Sequence, residues 1–174
     1  MLTVAFIIFI PMIFIPMLGE ALRASANERG QRARGGIEPP DDVYEMMRIA
    51  YPAAFLAMLG EGVLRGGPSL SVLLVGATLF AGAKALKWWA IATLGPAWTF
   101  RVIVVPGAPL VASGPYRFVA HPNYIAVVGE LVGAALMTGG LISGPIATAI
   151  FGMLLRKRVA VEERMLGDAA RLAR

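Results

Sequence analysis

The residues with most capacity for chemistry in this sequence fall into two short clusters. The first is Gly114-Pro115-Tyr116-Arg117-Phe118-Val119-Ala120-His121-Pro122-Asn123-Tyr124, which contains the only histidine, and the second is Arg158-Val159-Ala160-Val161-Glu162-Glu163. A planar guanidinium such as Arg158 can hold a carboxylate or a phenolate through two parallel, charge-assisted hydrogen bonds. An imidazole or a carboxylate can take a proton from a phenol or enol. Each group also has a plainer use. Arg158 and Glu162 are one helical turn apart, where surface ion pairs form, and a lone histidine at a membrane boundary serves as an interfacial hydrogen bonder. The residues by themselves leave both readings open.

Several chemistries are excluded or disfavoured at once. The chain has no cysteine, so disulfides, thiolate metal sites and cysteine nucleophiles are out, and one histidine argues against a multi-histidine metal site. No metal is expected. Of the 174 residues 57% are hydrophobic and 16% charged, whereas soluble domains carry about 25% charged residues. The apolar residues form long runs, which predicts an integral membrane protein of one domain, residues 1–174. The net charge of +5 follows the ends of those runs, a pattern for orientation and anionic lipid contact and not for nucleic acid.

The elements that must position the two clusters can be read in order. Leu2 to Leu18 is uncharged; without a basic region before it or a small-residue cleavage site after it, it reads as a retained first span, not a signal peptide. The helix should continue through the arginine-rich stretch to Gly35-Gly36, with Asp41 or Asp42 capping the next. The second span runs from about Val43 to Leu64, with Arg48 snorkelling and Glu61 interfacial. The third runs from Leu70 to Leu94, where Lys84 and Lys87 beside Trp88-Trp89 read as an interfacial anchor. Four prolines and the run Val102-Ile103-Val104-Val105 make 95–120 a long, functional loop. Ile125 to Leu155, split near Gly139-Gly140, reads as a tight hairpin of two short spans, with Glu130 facing the bundle interior and Gly129 and Gly133 packing within the hairpin.

The expected fold is therefore all-α, with five transmembrane helices and a long cytoplasmic loop before the last two. Basic residues follow the first, third and fifth spans, while Arg65 stands alone on the other side. The N-terminus is then outside, and both clusters share the cytoplasmic face.

The order and spacing of Gly114-Pro115-Tyr116-Arg117-Phe118, His121-Pro122-Asn123-Tyr124 and Arg158-x-x-x-Glu162-Glu163 around an apolar hairpin resemble the isoprenylcysteine carboxyl methyltransferase family. These are small membrane enzymes that use S-adenosylmethionine. The resemblance covers about Leu94 to Leu166; the N-terminal half, with Glu20, Ser25, Asn27-Glu28 and Trp89 to Gly95, looks like a bacterial branch that O-methylates long-chain polyketide pyrones and phenols.

The resemblance implies cofactor-binding roles for Leu110, Val111, Tyr116, His121, Pro122, Asn123, Tyr124 and Glu162, and a catalytic role for Arg158, facing the acceptor; the chemistry of the side chains, not the resemblance, adds Glu163 or His121 as the base that a phenol or enol acceptor would need. The implied activity is methyl transfer from S-adenosylmethionine to a carboxylate, phenol or enol oxygen of a lipophilic acceptor. Phospholipid N-methylation, a nicotinamide-dependent reductase of the steroid-reductase type and a non-catalytic bundle are the other readings. The family's arginine before His-Pro is Ala120 here, so Arg117 or Arg101 must replace it or the contact is lost.

Overall fold

A computed structural model describes residues 2–172 as helical rods joined by short turns and one long loop, with side-chain surroundings defined for 8–169. Arg174, counted among the basic residues of the last segment, lies outside the described residues. The helices are α1 (Leu2–Ala33), α2 (Tyr44–Arg65), α3 (Leu70–Leu94), α4 (Pro122–Thr138) and α5 (Ser143–Leu172), with single 3-10 turns at Gly95–Ala97 and Gly114–Arg117. Among the described residues the sole β contact is an isolated antiparallel bridge between Ile37 and Val104, at the β-branched run. The all-helical expectation holds.

Among the described residues, three helices are long and apolar enough to cross a membrane: Ile8–Ala33, Tyr44–Arg65 and Leu70–Ala97. At ~1.5 Å rise per residue, the 22 residues of α2 extend about 33 Å, the thickness of a bilayer core. The protein is thus of integral membrane character. The fourth helix has 17 residues and is apolar but short. The fifth is 30 residues long and continues well past its apolar start into the charged cluster, so that Leu155, the end of the apolar block, is mid-helix.

Glycine decides how closely the helices approach. A Cβ on Gly133 would sit 2.8 Å from the Phe80 backbone nitrogen, and one on Gly76 would sit 2.7 Å from that of Met137. These positions let α3 and α4 touch along their backbones, the tightest pairing in the fold. The expectation that Gly129 and Gly133 pack within the hairpin is therefore corrected. Gly129 meets Ala83 of α3, because α5 contacts α4 through larger side chains such as Phe151 and Leu155.

The core between α2, α4 and α5 is built on Phe55, Met58, Leu131 and Phe151. Glu61 near the end of α2 closes one side: its carboxylate accepts from the Ser143 amide at 2.7 Å and the Ile142 amide at 3.0 Å, and it pairs with Arg65 at 2.8 Å. Expected to be merely interfacial, Glu61 serves the otherwise unsatisfied N–H groups that begin α5.

The lysine expectation is overturned. Lys84 and Lys87 turn inward, away from any headgroup. Lys87 Nζ lies 2.6 Å from Glu20 of α1 and 3.5 Å from Glu130 of α4, and Lys84 Nζ lies 3.0 Å from Glu20 and 3.2 Å from Glu130. Tyr51 of α2 also donates to Glu130. Two cations and two anions in an apolar interior neutralise one another there, where a single charge would be prohibitive. Glu130 faces the interior as expected, and it finds the lysines there.

Candidate functional site

At one end of the molecule the C-terminal part of α1, the start of α2, the 95–121 loop, the start of α4 and the second half of α5 converge. The loop keeps its course because α1 binds its backbone. Asn27 Nδ2 donates to the carbonyls of Gly95 (3.0 Å) and Trp98 (2.7 Å), Gln31 Nε2 donates to that of Pro96 (2.8 Å), and Glu28 accepts from the Arg101 amide (3.3 Å). Trp98 packs against Ala24 and Ile91 below it.

Pro122 takes the first position of α4, where its missing N–H costs nothing. That start fixes His121 just outside the helix and Tyr124 on its first turn, three residues apart, and the two rings stack with centroids 5.2 Å apart. On α5, Arg158 and Glu162 share a face because they are one turn apart. Yet they do not make the simple ion pair that this spacing suggests. The Tyr124 hydroxyl stands between them, donating to Glu162 Oε2 at 2.6 Å and accepting from Arg158 Nε at 2.9 Å.

Two further contacts extend the cluster. Arg158 Nη1 reaches Asp42 Oδ1 at 3.1 Å, with both side chains almost wholly buried. His121 lies 3.9 Å from Glu162 and 3.6 Å from Glu163, through Nδ1 and Nε2 respectively. Burial, with the nearby Glu162 charge, raises the Tyr116 phenol well above its ordinary range, so it remains a neutral hydroxyl. At the rim, the hydrogen bond from Arg164 holds Asp41 below the usual carboxylate value.

These groups border one cavity of about 1070 Å³. Of the residues nominated from sequence, Leu110, Val111, Tyr116, His121, Asn123, Tyr124, Arg158, Glu162 and Glu163 line it; Pro122 is buried behind the wall as the helix start. Two wall atoms, His121 Nε2 and Asn123 Oδ1, are buried without a hydrogen-bond partner in the protein. Such atoms are rare unless a ligand or water serves them, and they suit a hydrogen-bonding cofactor. Away from this polar end the cavity continues between Phe14, Met17, Leu18, Tyr51, Val127 and Phe151, where its walls are mostly apolar and the paired Glu20 and Lys87 are the charged side chains among them.

The structure also places four residues that the sequence left with open or plainer roles. Arg101 lies on the cavity wall, stacked over Tyr44 and paired with Glu45 at 2.5 Å, while Arg117 is exposed and stacks on Phe118. Of the two candidates to replace the arginine missing at Ala120, Arg101 is the one at the cavity. Arg48 is exposed as expected, but pairs with Glu45 at 2.9 Å. Asp42, read only as a helix cap, does accept from the Tyr44 amide at 3.1 Å, and its bond to Arg158 was not anticipated.

A family model described as the isoprenylcysteine carboxyl methyltransferase (ICMT) family matches residues 74–168, more than half of the chain and including both clusters. The chain is 27% identical over 163 residues to a Bacillus subtilis protein named uncharacterized protein YpbQ, covering 94% of this chain and 97% of that one. It is 24% identical over 138 residues to an uncharacterized protein of Haemophilus influenzae, covering 79% of this chain and 80% of that one. No solved structure matches it significantly.

Proposed function

The chain belongs to the isoprenylcysteine carboxyl methyltransferase family of membrane methyltransferases, and from that premise we propose that it methylates an oxygen of a lipophilic acceptor, using S-adenosylmethionine. The observation that carries this reading is the continuity of the cavity. A polar end built from Tyr124, Arg158, Glu162 and His121 opens directly into a mostly apolar length between helices, with the Glu20–Lys87 pair on its wall. Its volume of about 1070 Å³ stands at the top of the range for ligand pockets, roughly 300–1,000 Å³, which suits a cofactor and an acceptor head together.

S-adenosylmethionine supplies a methyl group already activated on a sulfonium, so the work left to the protein is positioning. Glu162 accepts from cofactor hydroxyl or amino groups, and Tyr124 holds that carboxylate in place. His121 Nε2, Asn123 Oδ1, the Tyr116 hydroxyl and the backbone at Leu110 and Val111 offer the remaining polar contacts. Arg158, with Nε on Tyr124 and Nη1 on Asp42, turns its other donors to the acceptor oxygen. A carboxylate acceptor needs no base; for a phenol or enol, His121 or the exposed Glu163 takes the proton.

The same reading completes the membrane layout. The fourth helix and the apolar start of α5 join the three long spans as a hairpin, giving five. The arginines near the polar end support a cytoplasmic position for it, with the N-terminus outside. A tailed acceptor then reaches the cavity sideways from the bilayer, and the cofactor comes from the water side.

Calorimetric titration of the detergent-purified protein with S-adenosylmethionine tests the reading, with Glu162→Gln and His121→Ala alongside. Methyl transfer to hexadecanoic acid and 4-dodecylphenol is followed in parallel. Binding that weakens in both variants, with transfer to either probe, is the expected result. Absence of cofactor binding by the intact protein overturns it.

A further inference from the structure

We propose that Asp42, in the turn between α1 and α2, is a positioning residue that links the cavity loop to Arg158, so that the arginine is correctly aimed only when the loop is seated. Asp42 lies outside the segment matched by the family model, residues 74–168. The proposal rests on the reading of Arg158 as the acceptor-facing residue.

The argument starts from one carboxylate with three partners on three elements. Oδ1 accepts from the Tyr44 amide at the start of α2 and from Arg158 Nη1 of α5, both at 3.1 Å. Oδ2 accepts from the Val102 amide of the loop at 2.8 Å. The side chains of Asp42 and Arg158 are 10% and 7% exposed, and Val102 is 4% exposed, so water does not substitute readily for any of these bonds.

A guanidinium buried to this degree needs a compensating anion at contact distance. Glu162 reaches Arg158 only through the Tyr124 hydroxyl; Asp42 makes the direct contact. With Nε fixed by Tyr124 and Nη1 by Asp42, the plane of the guanidinium is set by two points. Removing one leaves it free to rotate about the other.

The Val102 bond gives the link its second half. The loop residues Arg101 to Val105 and Ala108 to Ala112 form part of the cavity wall. Displacing the loop withdraws the Val102 amide from Asp42, and disturbing Arg158 leaves Asp42 as a buried charge with two amide donors. Either change weakens the other contact. A neighbouring pair, Arg164 to Asp41 at 2.6 Å, ties the same turn to α5 at the surface.

The test uses the full chain in detergent with Asp42→Asn, Arg158→Gln and the double variant. Asparagine keeps the shape but loses the charge, and its amide group can no longer accept at both oxygens. With the probe acceptor that the intact protein methylates, Asp42→Asn should lower kcat by about 10- to 100-fold, the scale of a misplaced catalytic group. The dissociation constant for S-adenosylmethionine should stay within about threefold, and Asp42→Asn should add nothing further in the Arg158→Gln background. A structural defect alone would instead multiply with Arg158→Gln, and that result overturns the proposal.

Hydrogen exchange of the backbone from 98 to 105 gives a readout independent of catalysis. It should accelerate in Arg158→Gln as it does in Asp42→Asn. Unchanged exchange in Arg158→Gln overturns the link, even if Asp42→Asn does not fold. Accelerated exchange in a protein that transfers no methyl group upholds the link and removes the methyltransferase reading instead.

Discussion

The Tyr124 hydroxyl donates to Glu162 at 2.6 Å across thirty-eight residues of sequence, joining the first turn of α4 to α5 at the polar end of the cavity. Because the same oxygen accepts from Arg158, Tyr124→Phe removes two bonds and leaves the buried Arg158 and the partly exposed Glu162 each short of a partner. The unmade bonds should cost on the order of 1–3 kcal/mol of stability. Cofactor affinity should fall about tenfold with the loss of a fixed Glu162, at roughly 1.4 kcal/mol per decade. Thermal unfolding and calorimetry on the purified variant check the two effects separately.

Arg158→Lys keeps the charge and discards the planar fork. Cofactor binding should remain near that of the intact chain while methyl transfer falls by about tenfold or more, since a point charge cannot meet Tyr124, Asp42 and an acceptor with fixed geometry. Single-turnover transfer to 4-dodecylphenol at saturating cofactor is the measurement. Weaker cofactor binding with normal turnover would place Arg158 on the wrong substrate.

The interior cluster of Glu20, Lys84, Lys87 and Glu130 should be strongly non-additive. Lys87→Met leaves Glu20 without its 2.6 Å partner and should destabilise the fold by about 3–5 kcal/mol. Adding Glu20→Gln should recover part of that loss, because it removes the stranded charge. Denaturation in mixed micelles, scored as a double-mutant cycle, gives the coupling.

Gly133→Ala and Gly152→Ala form a matched pair. The added methyl meets the Phe80 backbone in the first and nothing within 4 Å in the second. The first should lose about 1–3 kcal/mol through forced separation of α3 and α4; the second should be unchanged or slightly more stable, since alanine is the better helix former. Equal melting temperatures for the two would contradict the close approach.

Glu61→Gln should loosen the start of α5 by about 1 kcal/mol, the usual scale for a helix cap. The amides of Ile142 and Ser143 should then exchange faster, with the cavity end unaffected. Exchange mass spectrometry over 139–146 reads this directly.

The parts of this protein visible in its sequence are those encoded by runs and fixed spacings. Long apolar stretches marked the helices, and the His121-Pro122-Asn123-Tyr124 and Arg158-x-x-x-Glu162 spacings put side chains on definable faces. The meeting of those two clusters was legible from the hairpin between them, as Tyr124 on Glu162 and Arg158 shows, but the partners of the buried charges were not. Lys84 and Lys87 beside Trp88 and Trp89 have the composition of an interfacial anchor, and nothing local distinguishes that from a buried pair; the partners, Glu20 and Glu130, lie 64 and 46 positions or so away. Each buried acid does suggest that an opposite charge is needed, and pairing the in-span charges against one another was the available signal. Asp42 carried only a capping signature, because its role depends on where α5 passes.

The loop beside the cavity is gripped by its carbonyls. Asn27 and Gln31 bind the backbone oxygens of Gly95, Pro96 and Trp98, groups that every residue possesses. Its downstream wall positions, Ile103 to Val105 and Ala108 to Ala112, can therefore be exchanged for other side chains while these anchors persist. For redesign, that stretch is where the shape of the cavity can be changed at least risk to the scaffold.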